Sequence, residues 1–205
     1  VRVPQYIPDS NRLRVDVIDN QEEKGYMASP NTKEERDTRT DEPIQERSLV
    51  LRYENLHPGE VVHATRLLGG DPKDLTQYDR ILLEIHPDSS SARNNRAYNP
   101  QQNRVSFGLR LGKDQGNRDS RDYYEIRLHV DTSAMAVTRD GDRHRDLWGR
   151  NSFEVRLDDL TGLKNDPLYG EYPGRKVSRN AWHKGRQDSS LTLSVVGNPT
   201  LSRID

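Results

Sequence analysis

The residues with the most obvious chemical potential are Asp140, Gly141, Asp142 and Asp146. Alternating carboxylates around a glycine are what calcium loops use, but this stretch lacks the later bidentate glutamate and the full loop spacing. It reads as a polar turn, and a structural calcium stays open. The chain's 6 histidines, His57, His63, His86, His129, His144 and His183, include no pair at a metal-ligand spacing such as helical i, i+4. His63, His86 and His129 fall in or at the ends of predicted strands, where a structural role is the commoner one. No Gly-x-Ser-x-Gly elbow is present and no serine has an assignable base. Gly69-Gly70-Asp71-Pro72 is a turn with nothing helical after it, so it is no phosphate loop. Paired acids for glycoside hydrolysis are not excluded by counting, but carboxylates are so abundant that they carry no signal. Arg175 to Arg186, with Trp182 inside, is a basic stretch that could meet nucleic acid or an acidic partner. It reads better as a solvated loop face balanced by the acidic 19–46 segment. Tyr123, Tyr124 and Trp148 could stack on sugar rings. Tyr124 alternates with Ile126 and Leu128 and so belongs to a core face, which leaves Tyr123 for that task.

The elements that would position these residues are strands. Apolar residues recur with period two in Leu13, Val15 and Val17, in Leu49, Leu51 and Tyr53, and from Val61-Val62 to Leu67-Leu68. The same alternation marks Val105 to Leu111, Tyr124 to Val130, Phe153 to Leu157 and Leu191 to Val195. Ile81, Leu82, Leu83 and Ile85 form a more continuous run, which predicts a central strand covered on both faces. One helical turn is expected, capped by Asp158 or Asp159, running through Leu160, Leu163 and Lys164, and ended by Asn165-Asp166-Pro167. The fold class is therefore all-β, a jelly-roll-like sandwich of two mainly antiparallel sheets with one short helix and long polar loops. A single domain over 1–205 is expected, with insertions at 19–46, 88–104 and 165–189.

Composition limits the function classes. At 205 residues with 31% hydrophobic and 32% charged content, the core must be thin. A net charge of -1 argues against nucleic acid or anionic membranes as partners. Arginine far outnumbers lysine, which suits a surface laced with ion pairs, although a GC-rich genome explains it equally. Without cysteine there are no disulfides, thiolate metal sites or cysteine nucleophiles. No cofactor is expected. The longest apolar run, Ala134 to Val137, is far short of a membrane helix. The residues after Val1 do not read as a signal peptide. Asn198 to Asp205 read as the start of another strand, so the chain is expected to be a fragment of something longer.

Four pieces stand out in order: Gln45-Glu46-Arg47-Ser48-Leu49 with Asn55-Leu56 and Pro58-Gly59-Glu60; Asp74-Leu75, Tyr78, Arg80-Ile81 and His86; Arg110-Leu111-Gly112 with Asp122-Tyr123-Tyr124-Glu125-Ile126; and Gly197-Asn198-Pro199-Thr200-Leu201. Together they resemble the SprA (Sov) family, the outer-membrane translocons of the type 9 secretion system linked to gliding motility in Bacteroidetes and relatives. Pro87-Asp88 after His86 departs from the family pattern, as does the length of the 88–104 insertion. The resemblance implies a non-catalytic extramembrane domain inserted between strands of a very large barrel, in the cell envelope. Partners would be other parts of its parent chain, secretion-system subunits or exported proteins, with no nucleic acid and no membrane contact by this part. Tyr78, Arg80, His86, Tyr123, Tyr124 and Glu125 carry over as pattern positions with a structural job, holding central strands in register. The alternative from a different class is a carbohydrate-binding β-sandwich module.

Overall fold

The computed structural model describes residues 6–8, 12–21, 29, 36–41, 45–53, 56–57, 59–66, 73–87, 105–112, 122–131, 148–171, 176–183 and 186–204. The chain forms two compact units, Val1–Leu67 and Leu68–Asp205. Antiparallel sheets dominate both, and the helices are short.

In the first unit β1 (Tyr6–Pro8) pairs with β4 (Ala64–Arg66), and β2 (Leu13–Asp19) with β3 (Arg47–Tyr53), both antiparallel. The β2–β3 register sets Leu13 opposite Tyr53, Val15 opposite Leu51 and Val17 opposite Leu49, so the alternation of both strands lands on one face. On the other face Arg52 bonds Asp16 at 2.6 Å. Within the 19–46 interval, residues 36–41 close a turn in which the Asp37 carboxylate accepts the N–H groups of Arg39 and Thr40. Further on, Glu60 N–H donates to the His57 carbonyl at 3.0 Å, and its carboxylate accepts the His57 N–H at 3.0 Å. Gly59 lies between them at φ 87°, a conformation that glycine adopts without strain. Arg12 bonds the same carboxylate, which is held below its usual range first by the His57 N–H, against some desolvation, and then by Arg12.

The second unit holds a four-stranded antiparallel sheet in the order β6 (Ser106–Gly112), β7 (Tyr123–His129), β10 (Arg186–Val196), β9 (Val177–His183). A separate antiparallel pair joins β5 (Arg80–Glu84) to β8 (Ser152–Arg156). Between β8 and β9 lie α1 (Leu157–Thr161), a 3-10 turn (Gly162–Asn165) and α2 (Pro167–Glu171). Alternation explains the core. Tyr124, Ile126 and Leu128 of β7, Leu191, Leu193 and Val195 of β10, and Phe153 and Val155 of β8 are all buried in one cluster. Leu157, Leu160 and Leu163 recur every third residue and so give the helical stretch a single apolar face turned into the same cluster. Ile81, Leu83 and Ile85 pack against it from β5 and just beyond.

Asn151, fully buried, works as a connector between strands. Its amide oxygen accepts the Asp131 N–H at 2.6 Å and its amide nitrogen donates to the Asp131 carbonyl at 3.1 Å, while its own carbonyl accepts the Ile85 N–H at 3.1 Å. One side chain thus supplies the pairing that a backbone would give just past the end of β7, to backbone groups that are partly buried.

Four expectations from the sequence are corrected. β5 is no doubly covered strand: among the described residues it pairs with β8 alone, and Leu82 is 62% exposed while its neighbours face the core. Neither Asp158 nor Asp159 caps α1; extended Arg156 precedes it without a side-chain cap, and both acids sit in the first turn, where the helix dipole favours them. The interval 165–189 carries both α2 and β9. The run from Asn198 makes a turn and a single antiparallel bridge, Ile204 to Lys73.

Candidate functional site

Two polar constellations in the second unit gather the residues singled out in the sequence. The first surrounds Gly197 to Leu201. β10 ends there because Gly197 takes φ 63°, turning the chain out of the sheet. The turned segment presents its polar backbone to four side chains. Asp122 accepts the Asn198 N–H at 2.9 Å. Tyr124 hydroxyl donates to the Pro199 carbonyl at 3.3 Å, and Tyr169 hydroxyl to the Gly197 carbonyl at 2.8 Å. Lys164 bonds the Asn198 side-chain oxygen at 2.8 Å and the Pro199 carbonyl as well, with its ammonium 5.7 Å from the centre of the Tyr124 ring. Burial pushes the Tyr124 hydroxyl up to about 12, with Tyr169 adding to the effect. Burial likewise lowers the Lys164 ammonium, against the opposing pull of Asp122. Just beyond, the Leu201 carbonyl accepts the Leu75 N–H at 2.7 Å, and Lys73 and Ile204 exchange backbone bonds.

The second constellation lies on the opposite face of the four-stranded sheet. Period two puts Tyr123, Glu125 and Arg127 there, because Tyr124 and Ile126 face the core. Register puts Arg110 of β6 opposite Glu125, Ser194 of β10 on its other side, and Ser178 of β9 next in the row. Glu125 is 1% exposed. Its carboxylate accepts from Arg110 Nε at 2.7 Å, Arg127 Nε at 3.2 Å and Lys176 Nζ at 2.9 Å. Burial alone would raise this carboxyl, but the bonds from Lys176 and Arg110 and the charges of Lys176 and Arg127 outweigh it and hold it at about 2. A carboxyl held ionised in this way cannot serve as a general acid near neutral pH. The Arg110 guanidinium also lies 4.5 Å from the centre of the Tyr123 ring, and the Ser178 and Ser194 hydroxyls are 2.9 Å apart.

The remaining pattern positions are dispersed. Tyr78 is 63% exposed and closes a turn through its N–H to the Leu75 carbonyl at 3.1 Å. Arg80 bonds Asp79 and, across the β5–β8 pair, Glu154. His86 packs against Trp148 with ring centres 5.0 Å apart and planes tilted by 49°, and the Trp148 indole N–H is buried without a hydrogen-bond partner among the described residues. Of the basic stretch, Lys176 is neutralised by Glu125 and Arg179 by Asp166 at 2.7 Å. Ser106 Oγ lies 2.7 Å from His129 Nδ1 as an exposed cross-strand pair, and no carboxylate orients the ring's other nitrogen among the described residues. No group of His, Asp and Glu that could hold a metal occurs among the described residues. The Asp140 to Asp146 stretch, His144 and Gly69 to Pro72 lie outside them.

Sequence reasoning missed Lys164, Tyr169 and Asn198 as partners, and missed that Arg127 and Lys176 converge on Glu125. Only the shared parity of Glu125 and Arg127 on one strand signalled any of this.

No family model, no curated protein and no solved structure matches the chain. No helix among the described residues is long and apolar enough to cross a membrane.

Proposed function

We propose that the chain is a non-enzymatic structural and interaction domain of an outer-membrane secretion translocon of the SprA type, inserted outside the membrane in the cell envelope and supporting protein export and gliding motility. One observation carries this reading. Three of the four sequence pieces that resemble the family meet in the second unit through hydrogen bonds: Asp74-Leu75 with Leu201, and Asp122 and Tyr124 with Asn198 and Pro199. The pattern residues thus share a mechanical task, tying one turned segment to two others, which is what a scaffold requires of them. The fourth piece contains the closed His57–Glu60 turn of the first unit. The finer architecture that goes with this role is a jelly-roll-like sandwich, with the β6-β7-β10-β9 sheet as one layer and the β5–β8 pair belonging to the other. Its partners would be other parts of the parent chain, secretion subunits or passing substrates, held by surface recognition with no covalent step.

The test is the reading frame on both sides of this segment. Many hundreds of residues of roughly 10-residue alternating strands with aromatic girdles are expected. A frame that ends nearby or adjoins a catalytic domain would overturn the proposal. Sugar binding is less well supported, because one face of the Tyr123 ring carries the Arg110 guanidinium and Trp148 packs on His86. Polysaccharide titration that shifts tryptophan fluorescence would revive it.

A further inference from the structure

The outer face of the four-stranded sheet carries more positive charge than it needs. Arg110, Arg127 and Lys176 surround one carboxylate, Glu125, and among the described residues no other carboxylate pairs with any of the three. Two positive charges are left over. The carboxylate is sealed in while the cations stay 39%, 36% and 43% exposed, so the excess charge is turned to solvent. Glu125 also fixes their geometry. Arg110 spends only its Nε on the carboxylate, and Lys176 a single N–H, so both keep further donors on side chains that are partly open to solvent.

Beside them is room. Gly108 stands opposite Arg127 in the β6–β7 register and two residues before Arg110, which puts it on the same face. A Cβ built at Gly108 would meet nothing within 4 Å among the described residues. Both arginines bond toward Glu125, and no described side chain fills the spot above Gly108. The floor continues with small hydroxylated residues, Thr192, Ser194 and Ser178, in neighbouring rows. Tyr123 borders the cations and offers ring surface next to them.

We propose that this face, centred on the gap over Gly108 between Arg110 and Arg127, docks an acidic polypeptide segment, seating a carboxylate against the remaining guanidinium donors. Charge complementarity selects the occupant. Two surplus charges on cations already shared with Glu125 match one or two carboxylates of a peptide, whereas a nucleic acid needs an extended track of uncompensated cations at phosphate spacing. The inference names the partner chemistry for the docking role proposed above. It rests on that role but not on the family resemblance, so a contrary reading frame would leave it standing.

The test uses the 205-residue chain and a short fluorescein-labelled peptide alternating glutamate and serine, followed by anisotropy at low and moderate salt. Binding that weakens with salt is expected, together with none for the same peptide carrying glutamine in place of glutamate. Arg127→Gln should weaken binding by about fivefold or more, the loss of one charge-assisted bond. Gly108→Val fills the gap without touching any charge, should fold normally, and should weaken binding similarly. Equal binding of the glutamine peptide would overturn the proposal. So would unchanged binding by Gly108→Val, or displacement of the peptide by single-stranded DNA or heparin at lower concentration than by free acidic peptide.

Discussion

Replacing Glu125 by glutamine removes a charge and keeps the shape. The carboxyl is held at about 2 against an ordinary value of 4.5, so at neutral pH the folded state gains about 3 kcal/mol from its ionised form. The sign follows from the depressed value. The contribution is complete above the unfolded pKa of 4.5 and fades as pH falls toward 2, where the carboxyl protonates in the folded state too. The three cations are partly hydrated, so once the carboxylate is gone water recovers some of the lost attraction. The net cost of Glu125→Gln at pH 7 is therefore roughly 2–3 kcal/mol, between the values for surface and buried pairs. Urea unfolding followed by circular dichroism, on wild type and variant at several pH values, measures it. The two stabilities should differ most near pH 7 and converge as pH drops from about 5 to about 2. Asp74, Asp166 and Glu60 are also held low, but they are common to both proteins and cancel in the difference. A difference that stayed constant with pH would refute the reasoning, because the stabilisation would then not be that of an ionised carboxylate.

Other outcomes follow from the same contacts. Asn151→Ala should cost about 1–3 kcal/mol in denaturant unfolding, since it removes a fully buried amide together with both of its bonds to the partly buried Asp131 backbone. Lys164→Met keeps the packing but drops the bonds to Asn198 and Pro199. About 1–2 kcal/mol should be lost, with faster hydrogen exchange at the Leu75 and Ile204 amides as the local readout. Leu82→Ser should shift stability by less than about 0.5 kcal/mol while Leu83→Ser costs about 2 kcal/mol or more, and equal effects in thermal melts would show that β5 is covered on both faces after all.

Parity was the readable part of this fold. Tyr124, Ile126 and Leu128, and Leu191, Leu193 and Val195, announce their strands and their buried face without any structure. β9 gives no such signal, because its inward row is only Val177 and Ala181 with Arg179 between them, and Arg179 is tolerated there through its pairing with Asp166. Asn165-Asp166-Pro167 reads as a stop, yet it is also a start. Asp166 accepts the Leu168 N–H at 3.0 Å and Pro167 opens α2, so one residue that ends a turn caps the next. The run of Ile81 to Ile85 misleads because an exposed leucine is ordinary, and apolar content alone does not reveal a neighbouring strand. Glu125 was picked out with its strand, but its partners come from β6, β7 and the residue before β9. Cross-strand register decides such encounters, and nothing in the spacing of single strands encodes it.

The seam where Lys73 meets Ile204 and Leu75 meets Leu201 sets how the second unit would respond to load. The two segments there run antiparallel, so Lys73 and Ile204 are neighbouring ends of the seam, with Leu75 and Leu201 bonded further in. Tension applied between those ends peels the seam bond by bond, as a zipper opens, instead of shearing all its bonds together. The side-chain anchors around Asn198 and Pro199 lie further in and take up the force next. A unit wired this way gives at its entrance under modest force while the sheet behind it stays paired.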